Sequence, residues 1–404
     1  MTNKVENLDE LIIRYLDLGE KIVSHEAAPL TKPGENFGSE ILSVDFTVEN
    51  PTDGSRRILS TVIKLVPDGE YARQMFNTPV TFRNEVGFYD IVVKKLHAYL
   101  LEKGVEDGAN FAVKSYGSRL SLDPDSRNVD DDAVLVLENA KKLGYVTVNK
   151  LAGFDFDGAK LILATLAKFH AATLAFKLDE PKSFDDAVRP YLWDFQEDPR
   201  YEVAVARQLT KFLTEQNYPD GVVRRAADLM RKRSDPSSPE PWSAVIHYDC
   251  WVNNFLVKYA ADGRPEHAVL VDFQLIGYKS PARDVVFFVF TSVASDVLTR
   301  NVVDSLFAHY HECLVDRLEL LGIDTSKFSF EDFREELKRA ALDSEFYHIA
   351  LMLPPILEKD FVDLSYIEER GGADDARCLW NDAHKRRLRF VVDEFRSRGW
   401  FDEN

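Results

Sequence analysis

Cysteine is scarce: Cys250, Cys313 and Cys378 are the only three among 404 residues. An odd, scattered set excludes a disulfide framework and a cysteine-built zinc site, and it points to a reducing compartment. Positive charge is in deficit. Lys and Arg total 50 against 68 Asp and Glu, a net −18 that repels phosphate backbones and anionic lipid. Long apolar runs are missing: the densest, Val285 to Phe290, is far too short to span a bilayer. Residues 1–21 are studded with acids where a secretory leader would be basic and then apolar. No repeat and no low-complexity tract is visible. The expectation is a cytoplasmic monomer with no nucleic-acid partner and no membrane insertion.

What is present is an ordinary globular balance, 45% hydrophobic and 29% charged, on a chain of 46.1 kDa. That length suits two or three domains, or two lobes sharing a cleft. Leu8 to Val23 has the spacing of an amphipathic helix. After the turn-forming stretch 32–39, Leu42, Val44, Phe46 and Val48 alternate as a strand, and Ile58 to Val66 follows as a second. Thr78-Pro79 marks a helix start, and helical spacing continues to Gly104. Phe111 to Tyr116 and Ala133 to Leu137 read as further strands. From Phe154 the pattern is helical, strongest over Ala159 to Leu178. The exception is a hairpin of Phe255–Tyr259 and Ala268–Val271 around the Asp262-Gly263 turn.

The chemistry gathers at His247-Tyr248-Asp249-Cys250-Trp251-Val252-Asn253-Asn254 and at Asp272-Phe273-Gln274 beyond the hairpin. Asp249 and Asn254 share one loop, and the hairpin returns Asp272 toward it. Two carboxylates and an amide oxygen suit Mg²⁺, which takes few protein ligands and shares phosphate oxygens. A further group beside a substrate hydroxyl would accept its proton. Each residue alone has a bland reading: Asp and Asn cap turns, and His-x-Asp is common. Their order across a hairpin favours phosphoryl transfer. Upstream, Lys64 lies in a strand and Glu85 on the following helix, placed to pair as a phosphate clamp. The alternative is an edge-strand Lys and a solvated Glu. Gly34, Glu35, Asn36, Phe37, Gly38 and Ser39 precede the first strand. There, backbone N–H groups can cover phosphates, although a full G-x-G-x-x-G is lacking.

Together these motifs resemble the ecdysteroid kinase-like (CHK kinase-like) family, within the protein-kinase-like superfold of choline kinases and aminoglycoside phosphotransferases. That family carries a His-Gly-Asp-Leu-Trp-x-Asn-Asn loop, to which 247–254 corresponds with Tyr248 for Gly and Cys250 for Leu. Its Asp-Phe-Gln matches 272–274, its Pro-x-x-Asp matches Pro281 to Asp284, and its Glu-x-x-Phe-Tyr matches Glu85 to Tyr89. Pro33-Gly34-Glu35-Asn36, Lys64, Leu137-Glu138 and Phe169-His170-Ala171 also have counterparts. The similarity runs from about Asn36 to Leu353.

The resemblance implies an α+β, bilobal protein-kinase-like fold. A β-rich nucleotide lobe would span 1–137, a connector 138–142, and a helical lobe with the catalytic hairpin 143–404. It implies ATP and Mg²⁺ as cofactors and a small hydroxylated molecule, an ecdysteroid or another lipophilic alcohol, as partner substrate. Asp249 would be the base; Asn254 and Asp272 would hold Mg²⁺. Lys64 would contact the α/β-phosphates, held by Glu85, under the loop Gly34 to Ser39. Glu138 and Ala140 would offer backbone groups to adenine. Asp284 and His247 would brace the loop, and His170 would be a satisfied core histidine. Competing expectations are a choline-like or xenobiotic alcohol kinase, a catalytically silent kinase-like module, and a metal-dependent hydrolase. The last is weakened by the lack of further His or Cys near the cluster.

Overall fold

The computed structural model describes residues 7–17, 19–30, 39–192, 199–230, 240–358 and 381–402. Contacts divide the chain into two compact units. The first comprises Met1–Val146, Glu180–Trp193 and Val269–Ile276; the second comprises Thr147–Asp179, Asp194–Ala268 and Gly277–Asn404. The first is sheet-based and the second mainly helical with an embedded hairpin, so the α+β class expected from the sequence is the one observed.

The first unit is built on β1 (Lys21–Pro29), β2 (Glu40–Glu49), β3 (Arg56–Leu65), β4 (Ser115–Arg119) and β5 (Val134–Glu138). They form one antiparallel sheet in the order β1-β2-β3-β5-β4. The period of two puts Leu42, Val44, Phe46 and Val48 of β2 and Leu59 and Ile63 of β3 on one buried face, over Leu8 and Ile12. Each such side chain, fully buried, contributes about 1.5–3 kcal/mol. Lys64 follows Ile63 and therefore points to the opposite face, where the helix Thr78–Gly87 carries Glu85.

Three expectations are corrected here. Helix over Leu8 to Val23 ends early, as Leu8–Ile12 and a 3-10 turn Ile13–Tyr15; Lys21–Pro29 pairs with β2 instead. Its exposed, half-polar pattern gives no period-two signal, and the partner strand decides. The strand expected at Phe111 to Tyr116 begins only at Ser115. The helix expected through Gly104 is interrupted by a π-helical turn, Phe88–Val92, before resuming as Val93–Glu102.

The first contact unit runs to Val146 and takes in two later segments that pack around the helix Thr78–Gly87 and its surroundings. In Glu180–Trp193, the Tyr191 ring packs against Gly87. A Cβ there would sit 2.1–2.5 Å from ring carbons, so only glycine fits this helical position. In Val269–Ile276, the Leu270 N–H donates to the Phe111 carbonyl at 2.7 Å. The Phe273 ring stacks on Phe88 at 3.9 Å between centroids and meets Tyr89 edge-on at 5.7 Å.

In the second unit, the helix Phe156–Asp179 packs along Arg300–Leu320. By length and composition it could cross a membrane, but most of its apolar window is buried inside the protein. The entry to this helix is pinned where the Phe154 N–H donates to Ser292 O and Phe154 O accepts from Ala294 N, both at 2.8 Å. Phe287, Phe288, Phe290, Phe346 and Tyr347 are core residues.

Candidate active site

The first unit assembles a buried ion cluster. The Nζ of Lys64 lies 2.6 Å from Oε2 of Glu85 and 2.5 Å from Oδ1 of Asp272. Lys64 comes from the sheet face, Glu85 from the helix facing it, and Asp272 from the segment held by Phe273. Lys64 and Glu85 are closed off at 4% and 1% exposure, which excludes the edge-strand reading of this lysine. Asp272 is the open member, its side chain 22% exposed. Burial would push the Lys64 ammonium down, but the Asp272 and Glu85 carboxylates override it and hold it above the usual lysine range. Burial pushes Glu85 up to about 7, against the pull of Lys64 and with the Asp272 charge adding to it. Asp272 has a left-handed backbone, φ +68°, and its Oδ2 accepts from Gln274 Nε2 at 3.4 Å.

The second unit holds the other pair. Asn254 donates its Nδ2 to both the backbone oxygen and Oδ2 of Asp249, each at 2.8 Å. This fixes the Asp249 carboxylate at the half-buried mouth of the loop and turns the Asn254 amide oxygen away from it. A carboxylate and an amide oxygen are hard donors of the kind Mg²⁺ accepts beside phosphate oxygens. Among the described residues, no group of three or more His, Cys, Asp or Glu could hold a metal ion by itself.

The loop is braced from beneath. Asp284 Oδ2 accepts from the His247 N–H at 2.7 Å and Oδ1 from the Tyr248 N–H at 2.9 Å. His170 Nε2 lies 3.1 Å from Asp284 Oδ2, and its Nδ1 shares a hydrogen bond with Tyr310 Oη at 2.8 Å. Burial alone would raise the Asp284 carboxyl; the hydrogen bond and charge of His170 and the contacts to His247 override it and hold it low. The Phe169-His170-Ala171 motif thus supplies both a satisfied core histidine and a second tier of loop support.

Removing Asp284 orphans two buried amides, at about 1–3 kcal/mol each. Asp284→Ala is expected to lower the urea midpoint at pH 7. A depressed carboxyl stabilises the fold above its unfolded value near 3.8 and loses that contribution as pH falls through its folded value. The gap to wild type should therefore narrow below about pH 4. A constant gap across pH would deny the ionised brace.

Sequence reasoning missed a network behind Tyr248. This residue has φ +71°, a left-handed backbone that costs a non-glycine residue about 1–2 kcal/mol. Its Oη accepts from Arg283 Nη2 at 3.0 Å, and the guanidinium lies 4.8 Å from its ring centroid. Arg283, 4% exposed, donates Nε to Glu345 Oε1 at 2.9 Å, and His348 Nδ1 lies 3.3 Å from Glu345 Oε2. The sequence signals were Tyr248, standing where the resembling family carries glycine, and Arg283, a cation inside the apolar run that follows Pro281.

Glu138 ends β5, with its N–H donated to the Lys114 carbonyl at 2.8 Å, and Ala140 opens the 3-10 turn Ala140–Leu143. Ser39 is buried at the foot of β2. Gly34, Glu35, Asn36, Phe37 and Gly38 lie outside the described residues.

A lysine clamped by helix and motif carboxylates, with an Asp–Asn loop braced by a buried Asp, is kinase-like in its parts. Residues 33–323 match the ecdysteroid kinase-like family, and the chain belongs to that family. No curated protein matches it significantly. Solved structures similar to it include a Plasmodium vivax ethanolamine kinase, at 14% identity and TM-score 0.41 over 93% of this chain and 83% of that one. A choline kinase from Cryptosporidium parvum is 11% identical, TM-score 0.42, over 98% and 95%. An aminoglycoside phosphotransferase from Alicyclobacillus acidocaldarius is 14% identical, TM-score 0.41, over 96% of both chains.

Proposed function

We propose that this protein is an ATP- and Mg²⁺-dependent kinase that transfers the γ-phosphoryl group to a hydroxyl of a lipophilic small molecule, an ecdysteroid or related steroid. The carrying observation is the buried Lys64–Glu85–Asp272 cluster, an arrangement costly to bury unless it orients charge for a ligand. In this reading Lys64 contacts the α/β-phosphates, Glu85 holds it, and the Gly34 to Ser39 loop covers the triphosphate. Glu138 and Ala140 present backbone groups to adenine. Asp272 and Asn254 each supply an oxygen to Mg²⁺, which neutralises phosphate charge when bound. Asp249 orients the acceptor hydroxyl and takes its proton as the new P–O bond forms and ADP leaves. The protein works in the cytoplasm as a monomer.

A choline-like acceptor would want carboxylates around an aromatic cage. Glu345 is committed to Arg283 and His348, and Glu358 accepts from Asn381 Nδ2 at 2.8 Å. Both ties support a neutral acceptor; the third acid, Asp360, lies outside the described residues. The test is a mass-spectrometric screen of hydroxylated steroids and choline with Mg²⁺·ATP, using wild type and Asp272→Ala. Steroid phosphate from wild type and none from the variant, which still binds adenosine, is the expected result. Transfer to choline alone overturns the acceptor, and undiminished turnover by Asp272→Ala removes Asp272 from the metal site.

A further inference from the structure

Tyr248 immediately precedes Asp249, at a left-handed turn where glycine would be comfortable. A bulky side chain persists in such a backbone when its surroundings over-determine it, and here they do. Its N–H is bound by Asp284, its phenol by Arg283, and its ring lies 5.8 Å from that of His348. His348 in turn stacks on Phe287 at 4.0 Å between centroids and pairs with Glu345. Glu345 also accepts from Ser344 Oγ at 2.9 Å and binds Arg283, so every member of the network is held by another. The network reaches the loop through the Tyr248 side chain, the neighbour of the residue that has to face the hydroxyl.

We propose that Tyr248 is a positioning residue for Asp249: its side chain, tied to the buried Arg283–Glu345–His348 network, locks the turn from which the Asp249 carboxylate is presented. The inference rests on the kinase reading for its effect on turnover, but not for its effect on the loop. The opposing view is that tyrosine is merely tolerated here. The two views differ in sign for Tyr248→Gly. That substitution relaxes the backbone; it helps a protein that only tolerates the ring and harms one that uses it. Tyr248→Phe keeps the ring under the guanidinium and removes only the oxygen that accepts from Arg283.

Two readouts on the full-length chain decide. The first is kcat and KM for transfer from Mg²⁺·ATP to a hydroxylated steroid. The second is amide hydrogen exchange of peptides covering 247–254, which needs no activity. Expected are kcat values falling in the order wild type, Tyr248→Phe, Tyr248→Gly, the last by about 10–100-fold, the scale of a slightly misplaced group. The KM for ATP should be unchanged, and exchange across 247–254 should be faster in both variants. Wild-type exchange and turnover in Tyr248→Gly overturn the proposal. If wild type phosphorylates no alcohol, the kinase reading fails on its own and the exchange data decide: faster exchange in the variants sustains the lock, and unchanged exchange removes it.

Discussion

Asp249→Asn is expected to fold, bind Mg²⁺·ATP and bind its acceptor, yet transfer phosphate about 10²–10⁴-fold more slowly, the usual scale for a positioned base. The geometry makes this a clean substitution. Asn254 donates to Asp249 through its Nδ2, and an asparagine at 249 can return a carbonyl oxygen to the same donor. What is lost is the negative charge that takes the hydroxyl proton. Single-turnover transfer to a hydroxylated steroid measures the loss directly, separate from product release. Wild-type speed in the variant would deny Asp249 its role, and weakened acceptor binding at unchanged chemistry would make it a binding group only.

Much of this site was legible because its parts are local. The His247 to Asn254 loop, the hairpin after it and Asp272-Phe273-Gln274 lie within a short stretch. Alternation in β2 and β3 was enough to put Lys64 on the face opposite Ile63. The partnership of Lys64 with Glu85 was foreseeable for the same reason, since a strand and the next helix are neighbours in space as well as in sequence. The bracing role of Asp284 was also foreseen.

What was not legible is long-range. Nothing near Gly87 announces that the Tyr191 ring will cover it. Nothing near Phe273 says that Phe88 will stack on it, although this contact and the Leu270–Phe111 bond group Asp272 with the sheet. β1 escaped because an exposed edge strand is specified by its partner's unpaired backbone rather than by its own pattern. The Tyr248–Arg283–Glu345 network escaped because tyrosine in place of the family's glycine marks an unusual turn but not its partners, which are 35 and more residues away. Glu345 shows the consequence most plainly. An acid in a helical stretch reads as solvated, whereas in the fold it is the counter-ion of a buried arginine.

Lys64→Met is expected to lower turnover of the folded protein by at least about 10²-fold, because the phosphates lose the group that aligns them. It should also reshape stability. Removing one partner from a buried ion cluster costs about 3–5 kcal/mol when the remaining charge cannot neutralise itself. Glu85 can neutralise itself at modest cost: burial already pushes it up to about 7 in the native protein, from an ordinary 4.5. A carboxyl whose folded value is raised favours the folded state below its unfolded value, and that advantage is lost as pH rises through the folded value. In wild type the loss levels off above about 7, where Glu85 ionises beside Lys64. In the variant the pull of Lys64 is gone, so Glu85 stays protonated to higher pH and stability keeps falling, by up to about 1.4 kcal/mol per pH unit. The stability gap between wild type and Lys64→Met should therefore widen between pH 6 and pH 8.5, read as urea midpoints. Parallel pH profiles would show that Glu85 does not depend on Lys64. A variant that loses stability but whose folded fraction turns over at the wild-type rate would make the cluster a structural brace and remove Lys64 from the phosphates.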